Sequence, residues 1–457
     1  KFFKNSIKLL LSIKNISVNI NQNQGTFIPG FMPESRFLGQ HWGELAPGIP
    51  FVLGSQQDIR FLAAERGWLT QNENLNTLFK RTSSTNLIFR STIEPFNKFR
   101  IEFTANKMQS LNQQEYYRWS SLDNMFSSFS ETESGSFSMS FISWGTAFYR
   151  DNEDFSSQTF QQFRNYRNEI AKRMAAMNPN YSGIIDSTGF PEGYSGTSQD
   201  VLIPAFLAAY SGQEAIGVSL RSMPIIPLPN WRINYDGLMQ MKFIKKRFQT
   251  FNLAHAYRST YSIGSFATSL DYLELDGWSS KINENTGNFY PKYEIGQVTI
   301  NEQFSPLIKL DMTWKNSLIT KLEIKKNRTL SLSLSNNQLT EINGNEYVIG
   351  TGYRIKDLTF KFRSAGKSKK ISSDLDIKLD LNIRNNKTII RKVIEDIEQI
   401  TMGQQTISIK FSTDYVISSR LNIKVFYDKV ITNPFISTTY PGSITNAGFS
   451  LRFTLAG

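Results

Sequence analysis

The sequence predicts an all-β fold: a large antiparallel transmembrane β-barrel, with this chain forming part of the wall and with Gly/Pro-rich and helical insertions between strands. Three observations predict it. The first is alternation sustained over about ten residues. In 374–384, Leu375, Ile377, Leu379, Leu381 and Ile383 share one face of an extended chain, and Asp374, Asp376, Lys378, Asp380, Asn382 and Arg384 share the other. A tilted strand crosses a bilayer in roughly 9–11 residues, whereas strands of soluble proteins centre on about five or six. The second is composition. Of 457 residues only 40% are hydrophobic, yet 35 are Phe, 18 Tyr and 28 Gly, a mixture that favours strands and turns. The third is the length of connections. If the last strand runs down to the periplasm, Ser418–Arg420 and Asn385–Lys387 are tight lower turns, while 434–447, 395–404, 364–371 and 335–345 are longer upper loops, as such barrels require. Lys315–Ser317 is short where a long loop is due, and 388–394 is a poor strand by pattern.

Taken in order, 1–20 forms one strand and 21–80 is a Gly/Pro-rich insertion with a short helix at "QDIRFLAAERGWL". Strands occupy 81–150, in "NLIFRSTI", "FRIEFTAN" and "GSFSMSFISWGTAF". The stretch 151–230 is a helical insertion. Phe160, Phe163, Arg167, Ile170 and Met174 lie at helical spacing, and "TSQDVLIPAFLAAYSG" runs from a cap-like Thr197 to Gly212. Lipid excludes irregular backbone, so this insertion is expected off the lipid-facing wall, capping or narrowing a pore. Strands then fill 231–457 to the C-terminus, roughly 14–16 in all at one per ~10-residue segment.

The strand faces divide by chemistry. Lys410 with Asp414, and Asn422 with Lys424 and Asp428, lie on polar faces. A dry core could not hold them unpaired, whereas a water-filled lumen could. The lumen-facing candidates are therefore Asp374, Asp376, Lys378, Asp380, Arg384, Lys410, Asp414, Lys424, Asp428 and Arg452. The candidates for lipid or a partner barrel are Leu375, Ile377, Leu379, Leu381, Phe449, Leu451, Phe453 and Leu455. A soluble β-sandwich also alternates, and strand length with loop alternation favours the barrel.

Cysteine is absent, which excludes thiol catalysis, disulfides and thiolate metal sites. No segment approaches the ~20 apolar residues of a membrane helix. "KFFKNSIKLLLSIKN" is broken by Lys14 and lacks a cleavage site, so the sequence reads as a processed or partial chain. The net charge is +12, without the aromatic-laced basic stripe of a nucleic-acid binder. Lys367, Lys369 and Lys370 read as a solvated loop, placed at the cell surface by the loop alternation. Only His41 and His255 are present, too few for a His-based zinc site. His255 shares a strand face with Leu253 and Tyr257 and reads as a packed or interfacial residue. "GTGY" at 350–353 lacks the features of a phosphate loop. Glu395, Asp396 and Glu398 lack calcium-loop spacing. No nucleophile–base pair is evident, so neither an enzyme nor a cofactor is expected.

Several long motifs carry a resemblance. "GYSGTSQDVLIPAFLAAYSG", "IPLPNWRINYDGL", "HAYRSTYSIGSF", "FSPLIKLDMTWKNSL", "RTLSLSLSNNQLTE", "EYVIGTGYRIKDL" and "KVFYDKVITNPFISTTYPGSITNAGFSLRFTLAG" resemble the C-terminal portion of the SprA/Sov family. These are the giant outer-membrane translocon proteins of the Bacteroidetes type 9 secretion system. The resemblance covers essentially the whole chain and implies that it is the last portion of a protein several times longer. It also implies one very large barrel, of the class with about 36 strands, a figure that comes with the family and not from this sequence. The implied function is a protein-conducting channel exporting cargo to the cell surface. The implied partners are the remaining N-terminal part of the same barrel, a shuttle β-barrel covering a lateral opening, a periplasmic plug protein, cargo with a C-terminal secretion domain, and outer-membrane lipid. The alternatives are a smaller porin or transporter for solutes, and a soluble surface-binding β-protein.

Overall fold

The alternating segments pair into one antiparallel sheet. Its strands are β1 (Ile13–Phe27), β2 (Phe79–Phe96), β3 (Phe99–Ser120), β4 (Met125–Ser140), β5 (Asn230–Tyr235) and β6 (Phe248–Thr268). Five short pieces, β7 to β11, lie between Glu274 and Ile295. Then come β12 (Gln297–Trp314), β13 (Leu318–Ser333), β14 (Gln338–Ser364), β15 (Lys367–Lys392), β16 (Ile397–Ser418), β17 (Leu421–Pro434) and β18 (Gly442–Phe453). The fold is a computed structural model that describes residues 12–152, 155–364, 367–418, 421–436 and 439–453. The strand order is β1-β2-β3-β4-β6-β12-β13-β14-β15-β16-β17-β18. Among the described residues β1 pairs only with β2 and β18 only with β17. The sheet is therefore open at both edges.

The strands are longer than the ten-residue pattern implied. β14 has 27 residues and β15 has 26, so each extends for roughly 90 Å at ~3.3 Å per residue. Asn385–Lys387 is not a turn. It lies inside β15, where Asn385 pairs with Asn345 and Lys387 with Asn343. The poor pattern at 388–394 also conceals strand, which continues to Lys392.

This changes which connections share an end. One end, the turn end, holds 97–98, 315–317, the longer connection 236–247 and the hairpins that close at Ser364 with Lys367 and at Ser418 with Leu421. The opposite, loop end holds 28–78, 121–124, 269–296, 334–337, 393–396 and 435–441. The short Lys315–Ser317 is thus no exception. Conversely, 364–371 is not a long upper loop, and Lys367, Lys369 and Lys370 belong to the turn end.

The helical insertion interrupts one strand position. β4 pairs with β3 from Lys107 to Ser120, and β5 pairs with β3 from Phe99 to Thr104. Both pieces are flanked on the other side by β6. The chain leaves the sheet after Ser140 and re-enters at Asn230, and the Leu228 N–H donates to the Ser140 carbonyl at 3.0 Å. Between these points stand two helices. Gln158–Met177 is capped by Ser157, whose hydroxyl accepts from the Phe160 N–H. Gln199–Ser211 ends at Gly212 with φ +76°, a left-handed conformation natural to glycine.

Every residue from Val201 to Tyr210 is buried, so this second helix is apolar all round and lies in the core. The first helix contributes Phe160, Phe163, Ile170 and Met174, as its spacing predicted, whereas Arg167 is only half-buried and donates to the Gly196 carbonyl at 3.0 Å. The sheet contributes Phe137, Tyr261, Val298, Ile300, Leu330 and Leu332. A second core under 28–78 joins Ala46, Ala63, Trp68 and Leu69 to Phe79 of β2 and Tyr117 of β3. There Arg60 is held between Asp58 and Glu115, with its guanidinium 4.4 Å from the Phe79 ring centre.

Phe206 is fully buried, edge-on to Phe163 at 6.1 Å. Phe206→Ala should cost the insertion about 3–5 kcal/mol. Limited proteolysis should show earlier cleavage within 158–211 while the sheet stays protected.

Candidate functional site

Side chains alternate across a sheet, so register decides which residues share a face. Phe99, Tyr235, Leu253, Leu310, Leu322, Ile349, Leu381 and Ile409 form one unbroken cross-strand row over eight strands. Beside it Ile308, Ile324, Tyr347, Ile383, Ile407 and Ile431 form a second. Further toward the turn end, Ile377 aligns with Thr413, Val425 and Phe449, and Leu375 with Tyr415, Ile423 and Leu451. Leu379 aligns with Phe411 and Tyr427, and Phe453 pairs with Leu421. Leu455 lies outside the described residues. Much of this apolar band is open: Ile308 is 46% exposed, Ile349 49% and Phe449 73%. Soluble monomers rarely expose a continuous apolar surface of this extent.

The opposite face carries charge. Asp376 aligns with Asp414, Lys424 and Ser450, and Asp380 with Lys410, Asp428 and Asn446. Lys378 faces Ser412, Arg384 faces Thr406, and Arg452 faces Asn422. Asp374 accepts from the Asp357 N–H at 3.2 Å. The signs interleave. Arg354 grips Asp376 through two bonds of 2.6 and 2.8 Å, Lys309 meets Asp311 at 2.6 Å and Lys321 meets Glu323 at 2.9 Å. Apart from Leu455, the two residue sets separated by the sequence pattern thus occupy opposite faces of one sheet.

Both insertions sit on the apolar side, beyond the band toward the loop end. Tyr261, Val298 and Leu332 under the helices are in phase with the band residues of their own strands, and Phe137 pairs with Ile263 in that phase. Under 28–78, Tyr117 is in phase with Phe99 of β3, and Phe79 with Ile93, which pairs with Ile101 of β3. The helical insertion therefore does not stand over the charged face, as a device narrowing a pore on that face would.

A buried ion clasp fastens the helical insertion. Arg391 of β15 is fully buried and reaches Asp151 at 2.9 Å, Glu341 at 3.0 Å, the Glu398 carboxylate and the Phe155 carbonyl. Lys387 meets Asp151 from the other side at 3.1 Å. Arg328 meets Glu302 at 2.9 Å and donates to the carbonyls of Thr146 and Ser143. The Ser143 N–H donates to the Tyr257 hydroxyl at 2.8 Å, and that hydroxyl donates to Glu302. The clasp was missed in the sequence. Its signal was a charge in the apolar phase of a strand: Arg328 with Leu330 and Leu332, Glu302 with Val298 and Ile300, Arg391 with Ile389. The acidic trio Glu395, Asp396 and Glu398 is likewise engaged in ion pairs. Glu398 joins Arg391, Asp396 pairs with Arg164 of the first helix, and Glu395 pairs with Lys392.

His255 lies in the band, and its Nδ1 is 2.6 Å from the Leu307 carbonyl. His41 Nδ1 accepts from the Glu44 N–H in a turn. Among the described residues no three His, Asp or Glu side chains gather to hold a metal ion, and no helix is long and apolar enough to cross a membrane, which says nothing about strands. Compared with known proteins, the chain matches no family model and no curated relative.

Two carboxyls report on this packing. Burial raises the pKa of Glu341, but the charges of Arg391 and Arg328 and the hydrogen bonds from Asn343 and Arg391 outweigh it and hold the group below its ordinary value. Its contribution is present above the ordinary carboxylate range and lost as the pH falls through the lowered value. Arg391→Met should leave three carboxylates facing each other and cost about 3–5 kcal/mol. Hydrogen exchange should show the insertion opening at pH 7.5, with partial recovery near pH 5 as the carboxylates take up protons. Asp200, at the start of the second helix, is pushed up to about 6 by burial. Here the sign is opposite: between the ordinary value and 6 the folded state holds the extra proton, so stability falls as pH rises and stays low above 6. Asp200→Asn should raise the melting temperature of the insertion at pH 8 and change it little at pH 4.

Proposed function

We propose that this chain is part of the wall of an outer-membrane β-barrel that conducts proteins to the cell surface. The unbroken apolar row over eight strands, backed by a face of interleaved charge, carries the reading. In β15 the band runs from Leu375 to Ile383, close to the ~9–11 residues of a tilted crossing. Lipid would cover this side and water the other. The longest connections, 28–78 and 269–296, share one end, and the connections at the other end are short apart from 236–247, which fits the external and periplasmic ends of such barrels. On this assignment the insertions stand outside the cell, and the segment of β15 that holds Lys367, Lys369 and Lys370 lies at the periplasmic end.

The open edges favour a barrel larger than this sheet. Strands from elsewhere would cover β1 and β18, in keeping with the resemblance to SprA/Sov and the expected N-terminal part of the same barrel. Barrels of 16–18 strands already leave an aqueous channel, and a wider one suits cargo bearing a C-terminal secretion domain. The same resemblance supplies the shuttle barrel and the periplasmic plug as partners.

Leu379→Arg should lower the yield of membrane-inserted, protease-resistant protein, at a cost of roughly 2–4 kcal/mol near the midplane. Asp380→Arg, one residue away on the charged face, should insert normally. Depleting the protein in its host should strand secreted proteins in the periplasm. Intact secretion with impaired uptake of small solutes would instead identify a porin.

A further inference from the structure

A cavity of about 550 Å³ opens where the helical insertion meets the apolar band. Its floor includes Ile324 and Tyr347, a cross-strand pair of the band. Its roof includes 146–151, which leads toward the first helix. Four cations line it, Arg150, Lys326, Arg328 and Lys387, against two carboxylates, Asp151 and Glu341. Both carboxylates are already engaged by Arg391, and Asp151 by Lys387 as well. Among the described residues Arg150 and Lys326 have no carboxylate partner, and Lys326 Nζ lies 5.2 Å from the centre of the Phe148 ring.

Two cations without a carboxylate partner, Arg150 and Lys326, standing in one cavity fit an anion with several acceptor oxygens, such as a phosphate.

The surroundings select among anions. Leu322 and Ile349 continue the floor as exposed apolar surface, and Phe148 and Tyr149 stand half exposed at the rim, as aromatic residues do at a membrane interface. A free anion has no use for this surface, whereas an acyl chain does. We propose that the cavity seats the phosphate headgroup of an outer-leaflet lipid whose acyl chains lie along the band. The proposal rests on the reading of that band as lipid-facing.

The test uses the full-length protein extracted from its membrane in neutral detergent and stripped of lipid. Diphosphoryl lipid A or its dephosphorylated form is added back, and bound lipid is counted by native mass spectrometry. The phosphorylated form should be retained and the dephosphorylated form lost. Lys326→Gln and Arg150→Gln should each weaken retention by roughly tenfold, about 1.4 kcal/mol, and Lys326→Arg should restore it. Equal retention of both lipids, or undiminished retention in both Gln variants, overturns the proposal. Displacement of lipid A by equimolar inorganic phosphate also overturns it, leaving a site for a free anion. Failure of the band reading is seen separately, as protein that leaves the membrane fraction without detergent.

Discussion

Everything in this molecule depends on strand register. A slip of one residue moves every side chain to the other face. Here a slip of β15 against β14 would carry Asp376, Lys378 and Asp380 into the rows now held by Tyr353, Thr351 and Ile349. The register is pinned from several sides. Arg354 grips Asp376 across the β14–β15 pair. At the other end of the same pair, Arg391 is bound to Glu341 and to the insertion at once. Glycines add a steric constraint, since a Cβ on Gly350 would come 2.6 Å from Asp380 Oδ1.

The insertion uses the same register for a different purpose. Along one face of β13 the phase runs Leu322, Ile324, Lys326, Arg328, Leu330, Leu332. The first pair lies in the band, the last pair lies under the helices, and two cations separate them. One alternating strand thus supports two apolar environments with a polar seam between. The clasp and the cavity both lie on that seam. The chain can depart from mid-sheet because β4 and β5 share one position and the ends of the insertion meet at Ser140 and Leu228.

The faces were legible in the sequence because period two is a local property. The pattern at 374–384 needs no partner strand to be read, and neither does the helical spacing from Phe160 to Met174. What failed was non-local. Asn385–Lys387 looks like a turn because three polar residues interrupt the alternation, yet Asn345 and Asn343 pair with two of them in the adjacent strand. That one misplaced turn inverted the ends assigned to 364–371 and made Lys315–Ser317 look anomalous. The clasp was invisible for a related reason. A charge in an apolar phase reads as noise until the opposing charge, up to 240 residues away in sequence, is brought to it.

Strand length has a consequence of its own. β14 and β15 extend for roughly 90 Å, about three times the ~30 Å hydrocarbon core. Even tilted, most of each strand would lie outside lipid if the chain forms a barrel wall as proposed. In the proposed barrel wall, β15 would cross lipid with its middle, Leu375–Ile383, and stand in water on both sides of it, a palisade braced toward the loop end by the two insertions. Anything travelling along the charged face would remain beside ordered strand long after it had passed the level of the lipid. Its point of departure would be set by the height of the palisade and not by the thickness of the bilayer.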